Sequence, residues 1–251
     1  MKRFITMGLL ACAFASTAFA AESGAEPYQK VRIGVTMDYT MAAMEQVNGQ
    51  LNKGVDVTKV GPGFTGMLEF DKFIVPFLFV GARAGYLFCL PGSVSYNYVL
   101  YKQTTTVNAS LIPLEAGVSV NFDLPATPIS INAGIYGGYG FAFAQYKNDI
   151  SPLAGQSSTF TRPFNGGSII GELPVAVNLK LFSALSINLN GGFRYAKILK
   201  MVQSQDVNYE GIAGIDFPAG KKGDILKDSD NNDLAIDFSG FNIGVGLSLS
   251  F

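Results

Sequence analysis

Apolar residues fall at every second position in eight separate stretches of this chain. That period leaves few folds open. In Gly240–Phe251 the residues Phe241, Ile243, Val245, Leu247, Leu249 and Phe251 are apolar, while Asn242, Gly244, Gly246, Ser248 and Ser250 are small or polar. Successive side chains of a strand point to opposite faces, so period two predicts a strand. A helix would need apolar residues at three- and four-residue spacing, which this stretch lacks. The same alternation predicts strands over about 31–39, 61–71, 75–88, 105–122, 129–144, 167–181, 185–199 and 235–251.

The connections carry the second signal. Read in order they are 40–60, 71–74, 89–104, 123–128, 145–166, 182–184 and 200–234, alternately long and short. A soluble β-sandwich has no reason to lengthen every second connection. A transmembrane barrel does, because its turns are short on one side of the membrane and its loops long on the other. Each predicted strand also reaches the roughly 9–11 residues that a tilted strand needs to cross the hydrocarbon. Residues 93–101 alternate too, through Val94, Tyr96, Tyr98 and Leu100. A ninth spanning strand would break the even number that bacterial single-chain barrels use. We therefore read 89–104 as an extracellular loop carrying a strand-like extension.

The face assignments follow from cost. A charge on the lipid face costs about 2–4 kcal/mol at the midplane, so the apolar face must meet lipid. The opposite face then lines the lumen, and there the charges fall: Arg32, Asp38, Glu69, Arg83, Glu115, Glu172, Lys180 and Arg194. An eight-stranded barrel is just wide enough for side chains to fill it. Acids and bases in so narrow a space are expected to pair, because an unpaired buried charge is costly. The expected lumen ion-pair network is Arg32, Glu69, Arg83, Glu115, Glu172, Lys180 and Arg194. Phe70, Phe88, Phe122, Tyr139, Phe141, Phe193, Tyr195 and Phe251 suit the aromatic girdles at the two interfaces. Trp is absent, so Phe and Tyr carry that role alone.

The first residues read as an export signal. Lys2 and Arg3 form a basic start, Phe4 to about Phe14 an apolar stretch too short to span a bilayer, and Ala18-Phe19-Ala20 a small-x-small cleavage site. Residues 1–20 are then a signal peptide, 21–30 a short polar periplasmic lead, and 31–251 the barrel with four extracellular loops. Leu9-Leu10-Ala11-Cys12 offers a competing lipobox that would make Cys12 a lipidated N-terminus. The very short apolar stretch before Cys12 and the well-placed Ala18-Phe19-Ala20 favour cleavage before Ala21. That cleavage removes Lys2 and Arg3 from the 18 basic residues, leaving 16 against 19 acidic ones, a formal charge of −3. Nucleic acid is not an expected partner of such a chain. Cys89 is then the only cysteine, so no internal disulfide is expected. Charged residues are 15% of the chain, low against roughly a quarter in soluble domains.

These features resemble the small OmpA/OmpX-type bacterial outer-membrane barrels. The resemblance lies in the signal peptide, the eight alternating segments, the loop asymmetry and the strand ending in Phe251. It is one of architecture over 31–251, not of a diagnostic motif. It implies an all-β, eight-stranded antiparallel up-and-down transmembrane β-barrel in the bacterial outer membrane. It implies that Phe251 serves as the signal read by the barrel assembly machinery, that outer-membrane lipids surround the barrel, and that the loops are where an extracellular ligand would bind. Proteins of this kind act as structural anchors, adhesion surfaces or narrow pores.

Enzymatic chemistry fits poorly. The chain has no His, which removes the Ser-His-Asp arrangement, the usual imidazole base and the commonest zinc ligand. A carboxylate mechanism through Glu69, Glu115 or Glu172 competes with the simpler reading of these acids as lumen ion pairs. Asp228-Ser-Asp230-Asn-Asn232-Asp233 looks like a calcium loop but lacks its sixth-position Gly and twelfth-position Glu. Gly134 to Gly140 lies within a strand and is no phosphate cradle. No catalytic residue, metal site or cofactor is expected. The expected function is a non-enzymatic, structural or surface-interacting barrel with a narrow charged lumen. A small selective, porin-like pore, gated by Arg83, Glu115, Lys180 and Arg194, is the alternative, and an outer-membrane enzyme the third.

Overall fold

The alternation from Val31 builds β1 (Val31–Ala42), whose odd-numbered side chains point out and even-numbered ones in. A computed structural model describes residues 31–75, 77–153, 156–182, 184–207, 220–228 and 231–251. The expected signal peptide, the lipobox Cys12 and the lead over 21–30 lie outside the described residues. Beyond β1 come α1 (Glu45–Leu51), β2 (Val55–Thr58), β3 (Gly63–Val75), β4 (Leu78–Cys89), β5 (Gly92–Asn97), β6 (Tyr101–Asp123), β7 (Ile129–Pro152), β8 (Ser158–Lys180) and β9 (Leu185–Tyr195). The short β10 (Lys197–Ile198), β11 (Met201–Gln203) and β12 (Ile236–Asp237) precede β13 (Gly240–Ser250).

Eight of these strands form a ring in the order β1-β3-β4-β6-β7-β8-β9-β13, every neighbour antiparallel, and β13 pairs back onto β1. The closing ladder runs the full length of β1, from Arg32 opposite Ser250 to Ala42 opposite Gly240. In hydrocarbon every backbone group must bond within the protein, and a closed ring is how strands achieve that. The register also fixes the geometry. Following partners from Arg32 through Asp71, Gly81, Gly117, Tyr136, Glu172, Arg194 and Gly240 returns to β1 at Ala42, ten residues above the start. That stagger tilts the strands to the barrel axis, by about 35–45° in closed barrels.

The outer face is a continuous apolar belt. Val35, Met37, Leu68, Val118, Ile135, Val175, Leu189 and Val245 are all exposed on it. Among the described residues, the charged outward side chains stand at or beyond the limits of this belt: Lys72 near the short-turn end of β3, and Lys102, Lys147 and Asp149 where β6 and β7 run on past the long-loop aromatic rings. Aromatic rings mark both limits. Tyr39, Phe64 and Phe88 follow one another at 5.7 Å, with Phe193 against Phe241 at 5.2 Å, toward the long-loop end. Phe77, Phe122, Phe182 and Phe251 stand exposed at the short-turn end. From Phe241 to Phe251 the tilted strand climbs ~26 Å, close to the ~25 Å apolar band of such barrels. The chain is therefore an all-β, eight-stranded, up-and-down transmembrane β-barrel, the architecture of outer-membrane proteins.

Several boundaries differ from the sequence reading. The first short connection is not 71–74, because β3 runs on to Val75 and β4 begins at Leu78. The stretch 145–166, expected as a loop for its Ser, Gly, Asn and Pro, is mostly strand. β7 and β8 continue pairing from Ala144 opposite Phe164 to Ile150 opposite Ser158. β7 is flanked by β6 on its other side through the same region, so both of its edges are bonded and composition is overridden. β9 ends at Tyr195 and β13 begins at Gly240, inside the expected 185–199 and 235–251. The long connection 40–60 contains α1 and β2. The strand-like extension expected in 89–104 is β5, which pairs with β6 and with β2.

The long-loop half of the interior is closed by an apolar core. Leu87, Val107, Leu111, Ala142, Phe164 and Ile170 point inward from the barrel strands. Met44, Val47 and Leu51 of the α1 region, with Ile198, Met201, Leu234, Ile236 and Phe238 of the last loop, pack onto them. Asn48 ties the helix to the returning chain, accepting from Val60 N at 2.8 Å and donating to Val60 O at 3.1 Å. The first and last loops are stitched together by Ala43 N to Ser239 O at 2.9 Å and Met44 N to Asp237 O at 3.0 Å.

The belt makes a direct prediction. Val245→Arg, at an outward position paired with Met37, should lower unfolding stability in lipid by ~2–4 kcal/mol. Urea titration of the folded barrel measures it, and no loss would place Val245 away from the hydrocarbon.

Candidate functional site

The inward positions of the short-turn half hold the charges. β1 supplies Arg32 and Asp38, β3 Glu69 and Asp71, β4 Arg83, β6 Glu115, β8 Glu172 and β9 Arg194. All but Glu69 are buried, and the Glu69 side chain is only 11% exposed. Parity puts them there, because each shares its strand face with the inward polar residues around it.

The register row that defines the barrel stagger also organises the pairs. Arg32 donates to one oxygen of Asp71 through Nε at 3.0 Å and Nη2 at 2.7 Å. The strands between Asp71 and Tyr136 present Gly81 and Gly117 in that row. A side chain at Gly81 would strike the Asp71 carboxylate, and one at Gly117 the Tyr136 ring and backbone. The two glycines leave a shelf over which Tyr136 reaches Asp71, donating through its hydroxyl at 3.2 Å. Farther along the row Arg194 donates to Glu172 Oε2 through Nε at 3.0 Å and Nη2 at 2.7 Å. Asn242 donates to the other Glu172 oxygen at 3.1 Å. Such charge-assisted bonds are among the strongest in proteins.

Arg83 bridges the two clusters. Its Nη2 lies 3.0 Å from Glu69 and its Nη1 3.8 Å from Glu172. Its guanidinium stacks over Tyr136 at 4.0 Å, and that of Arg32 over Phe79 at 4.6 Å. Aromatic faces attract cations more strongly when water is excluded. Asp38 accepts a hydrogen bond from Asn190. Glu115 stands across the ladder from Arg83, yet neither of its oxygens has a hydrogen-bond partner.

Of the residues expected in the network, Arg32, Glu69, Arg83, Glu115, Glu172 and Arg194 face this interior. Lys180 does not join them. It ends β8 at the short-turn rim, half exposed, and its Nζ pairs with Asp123 at 3.0 Å. Its inward parity opens onto solvent there, so the expectation of a lumen partner is corrected. The sequence reading missed Asp71, assigned to a turn, and the roles of Tyr136 and Asn242. Continuing β3 by period two would have placed Asp71 beside Glu69.

The room left over is small. Among the described residues, the polar interior encloses a cavity of about 20 Å³ lined by Asp38, Glu69, Glu172, Asn188, Asn190 and Asn242. That is space for about one water. Among the described residues, the apolar core stands above this polar interior.

No protein-family model matches this chain, and no curated protein matches it. Among solved structures it is similar to OprG, an outer membrane protein of Pseudomonas aeruginosa, at 11% identity over 89% of this chain and 96% of that one, with a TM-score of 0.45. It is similar to neisserial surface protein A, at 9% identity over 89% and 97%, TM-score 0.40. It is similar to Ail, the attachment invasion locus protein of Yersinia pestis, at 11% identity over 89% and 99%, TM-score 0.36. The barrel assignment rests on the closed strand ring, not on these likenesses.

The network predicts unequal costs. Arg194→Ala should destabilise by ~3–5 kcal/mol, because it strands the Glu172 carboxylate in the interior. Adding Glu172→Ala should restore part of that loss. Lys180→Ala, breaking an exposed pair, should cost ~0–1 kcal/mol. Denaturant unfolding of the folded single and double variants measures all three.

Proposed function

We propose that this protein is a non-enzymatic anchor of the bacterial outer membrane, with the shape of the small OmpA/OmpX-type barrels, that holds an extracellular β-sheet for surface interaction. The observation that carries this reading is the packed interior. A charge network fills the short-turn half and an apolar core the other half, so the barrel has little room to conduct. The short turns face the periplasm and the long connections the outside, the usual orientation of such barrels. Beyond the belt, β2, β5, β6, β7, β8 and β11 continue as one sheet. Its far tip exposes Val99, Leu100 and Leu153, with Tyr98 stacked on Tyr101 at 4.5 Å. An extracellular ligand would meet the protein there. Outer-membrane lipids surround the belt, and Phe251 at the end of β13 is the residue that the assembly machinery would read.

The alternative, a small selective pore, draws on Arg83, which lies between two acids and could exchange them. Conductance in planar bilayers separates the two readings. The anchor reading expects no steps of general-porin size, and no change on Glu115→Gln or Arg194→Gln. Steady open steps that either substitution alters would overturn it in favour of the pore.

A further inference from the structure

The far end of the extracellular sheet is layered along its length as a bilayer interface is. Two hairpin ends make it, the turn between β5 and β6 and the turn after β7. Leu153 N donates to Leu100 O at 3.0 Å and ties the two together, and Tyr98 N donates to Tyr101 O at 2.9 Å and closes the first. At the extreme end stand Val99, Leu100 and Leu153, which are 89%, 68% and 82% exposed. Among the described residues, Val99 and Leu153 are the two most exposed large hydrophobic side chains, above any in the lipid-facing belt. Exposure that high belongs to a projecting knob, not to a groove.

Tyrosines come next behind this end. Tyr98 stacks on Tyr101, and Tyr96 lies 6.4 Å from Tyr98. Tyrosine settles where hydrocarbon gives way to water, because its ring is apolar and its hydroxyl is not. Behind the tyrosines come charges that pair among themselves, Lys102 with Asp56 at 3.9 Å and Lys147 with Asp149 at 3.0 Å. These pairs leave no net charge with which to select a charged partner. The tip does not serve the hydrocarbon around its own barrel. Ser110 lies opposite Phe88 of the outer aromatic ring, and Tyr101 begins the same strand nine residues away. On a tilted strand that is roughly 20–25 Å.

We propose that the tip formed by Val99, Leu100 and Leu153 inserts into the outer leaflet of an apposed lipid bilayer without net charge, with the tyrosines at headgroup level; this rests on the reading of the barrel as an anchor for an extracellular sheet. Aliphatic, tyrosine and charged layers follow one another in the order in which a bilayer presents hydrocarbon, interface and water. The amides of Tyr98 and Leu153 are already bonded, which lowers the cost of taking the turns out of water. A second copy would offer this convex end another convex end, so the bilayer fits it better. One tip of three aliphatic side chains holds weakly, but many copies on one surface facing another raise the effective concentration and act together.

The test embeds the full barrel in phosphatidylcholine vesicles and measures capture of labelled, protein-free phosphatidylcholine vesicles. Capture is expected, at low and high salt alike. Leu100→Ser combined with Leu153→Ser should reduce it about fivefold or more, in line with the apolar area lost. Lys147→Gln should leave it unchanged. A second measurement does not depend on those variants. The chain has no Trp, so Val99→Trp places a sole indole at the tip. Its emission should shift to the blue when the second vesicles are added, and lipids brominated in those vesicles alone should quench it. No capture, full capture by the double serine variant, or an unquenched indole would overturn the proposal. Loss of capture in salt or on Lys147→Gln would overturn apolar insertion in favour of charge. Capture only of vesicles that also carry the barrel would assign the tip to a second copy instead. Conductance of the same vesicles keeps the two readings apart: porin-size steps overturn the anchor, whereas a silent barrel that captures nothing overturns the lipid partner alone.

Discussion

Closure of the sheet is the constraint on which everything else in this molecule depends. Inside a bilayer a single unbonded strand edge would leave a row of amides and carbonyls with no partner. The β1–β13 ladder removes that edge along the whole of β1. Closing with a displacement of ten residues then decides which side chains share a level. Arg32, Asp71, Tyr136, Glu172 and Arg194 meet in one row because of that displacement, not because they are near in sequence. Glycines fall in the gaps of the row, and they give the longer side chains somewhere to lie.

The interior is consequently layered. Its short-turn half is ionic, held by charge-assisted hydrogen bonds and stacked guanidiniums. Its long-loop half is apolar, closed by α1 and the last loop. The two layers stabilise the barrel differently. Apolar burial contributes about 1.5–3 kcal/mol for each large side chain and asks little of direction. Buried ion pairs contribute little net stability but are costly to break from one side. The ionic layer therefore penalises any register that parts its pairs, while the apolar layer holds the loops against the wall.

Much of this was legible in the sequence, for a physical reason. Period two and the cost of a charge in lipid are both local and strong, so the inward or outward direction of nearly every strand residue could be read. Arg83, Glu115 and Arg194 were placed inside on parity alone. What parity cannot give is where a strand stops. Asp71 was taken for a turn although the sequence holds no breaker until Pro76, and β3 runs on to Val75. Lys180 shares the inward parity of Asn178, but stands one step beyond the point where the interior opens to water. The apolar plug was invisible for another reason. Met44, Val47 and Leu51 have helical spacing, yet their partners lie as far away as Phe238, and nothing local announces that meeting. The extended β6–β7–β8 sheet was hidden by its composition, which is that of a loop until both edges are paired.

Amide hydrogen exchange of the folded barrel tests the closed ring most directly. If β13 truly pairs with β1, amides from Ile33 to Tyr39 and from Ile243 to Leu249 should exchange as slowly as those of β3 and β4. Rapid exchange at alternate residues of both β1 and β13, the pattern of two free edges, would contradict closure and with it the transmembrane barrel.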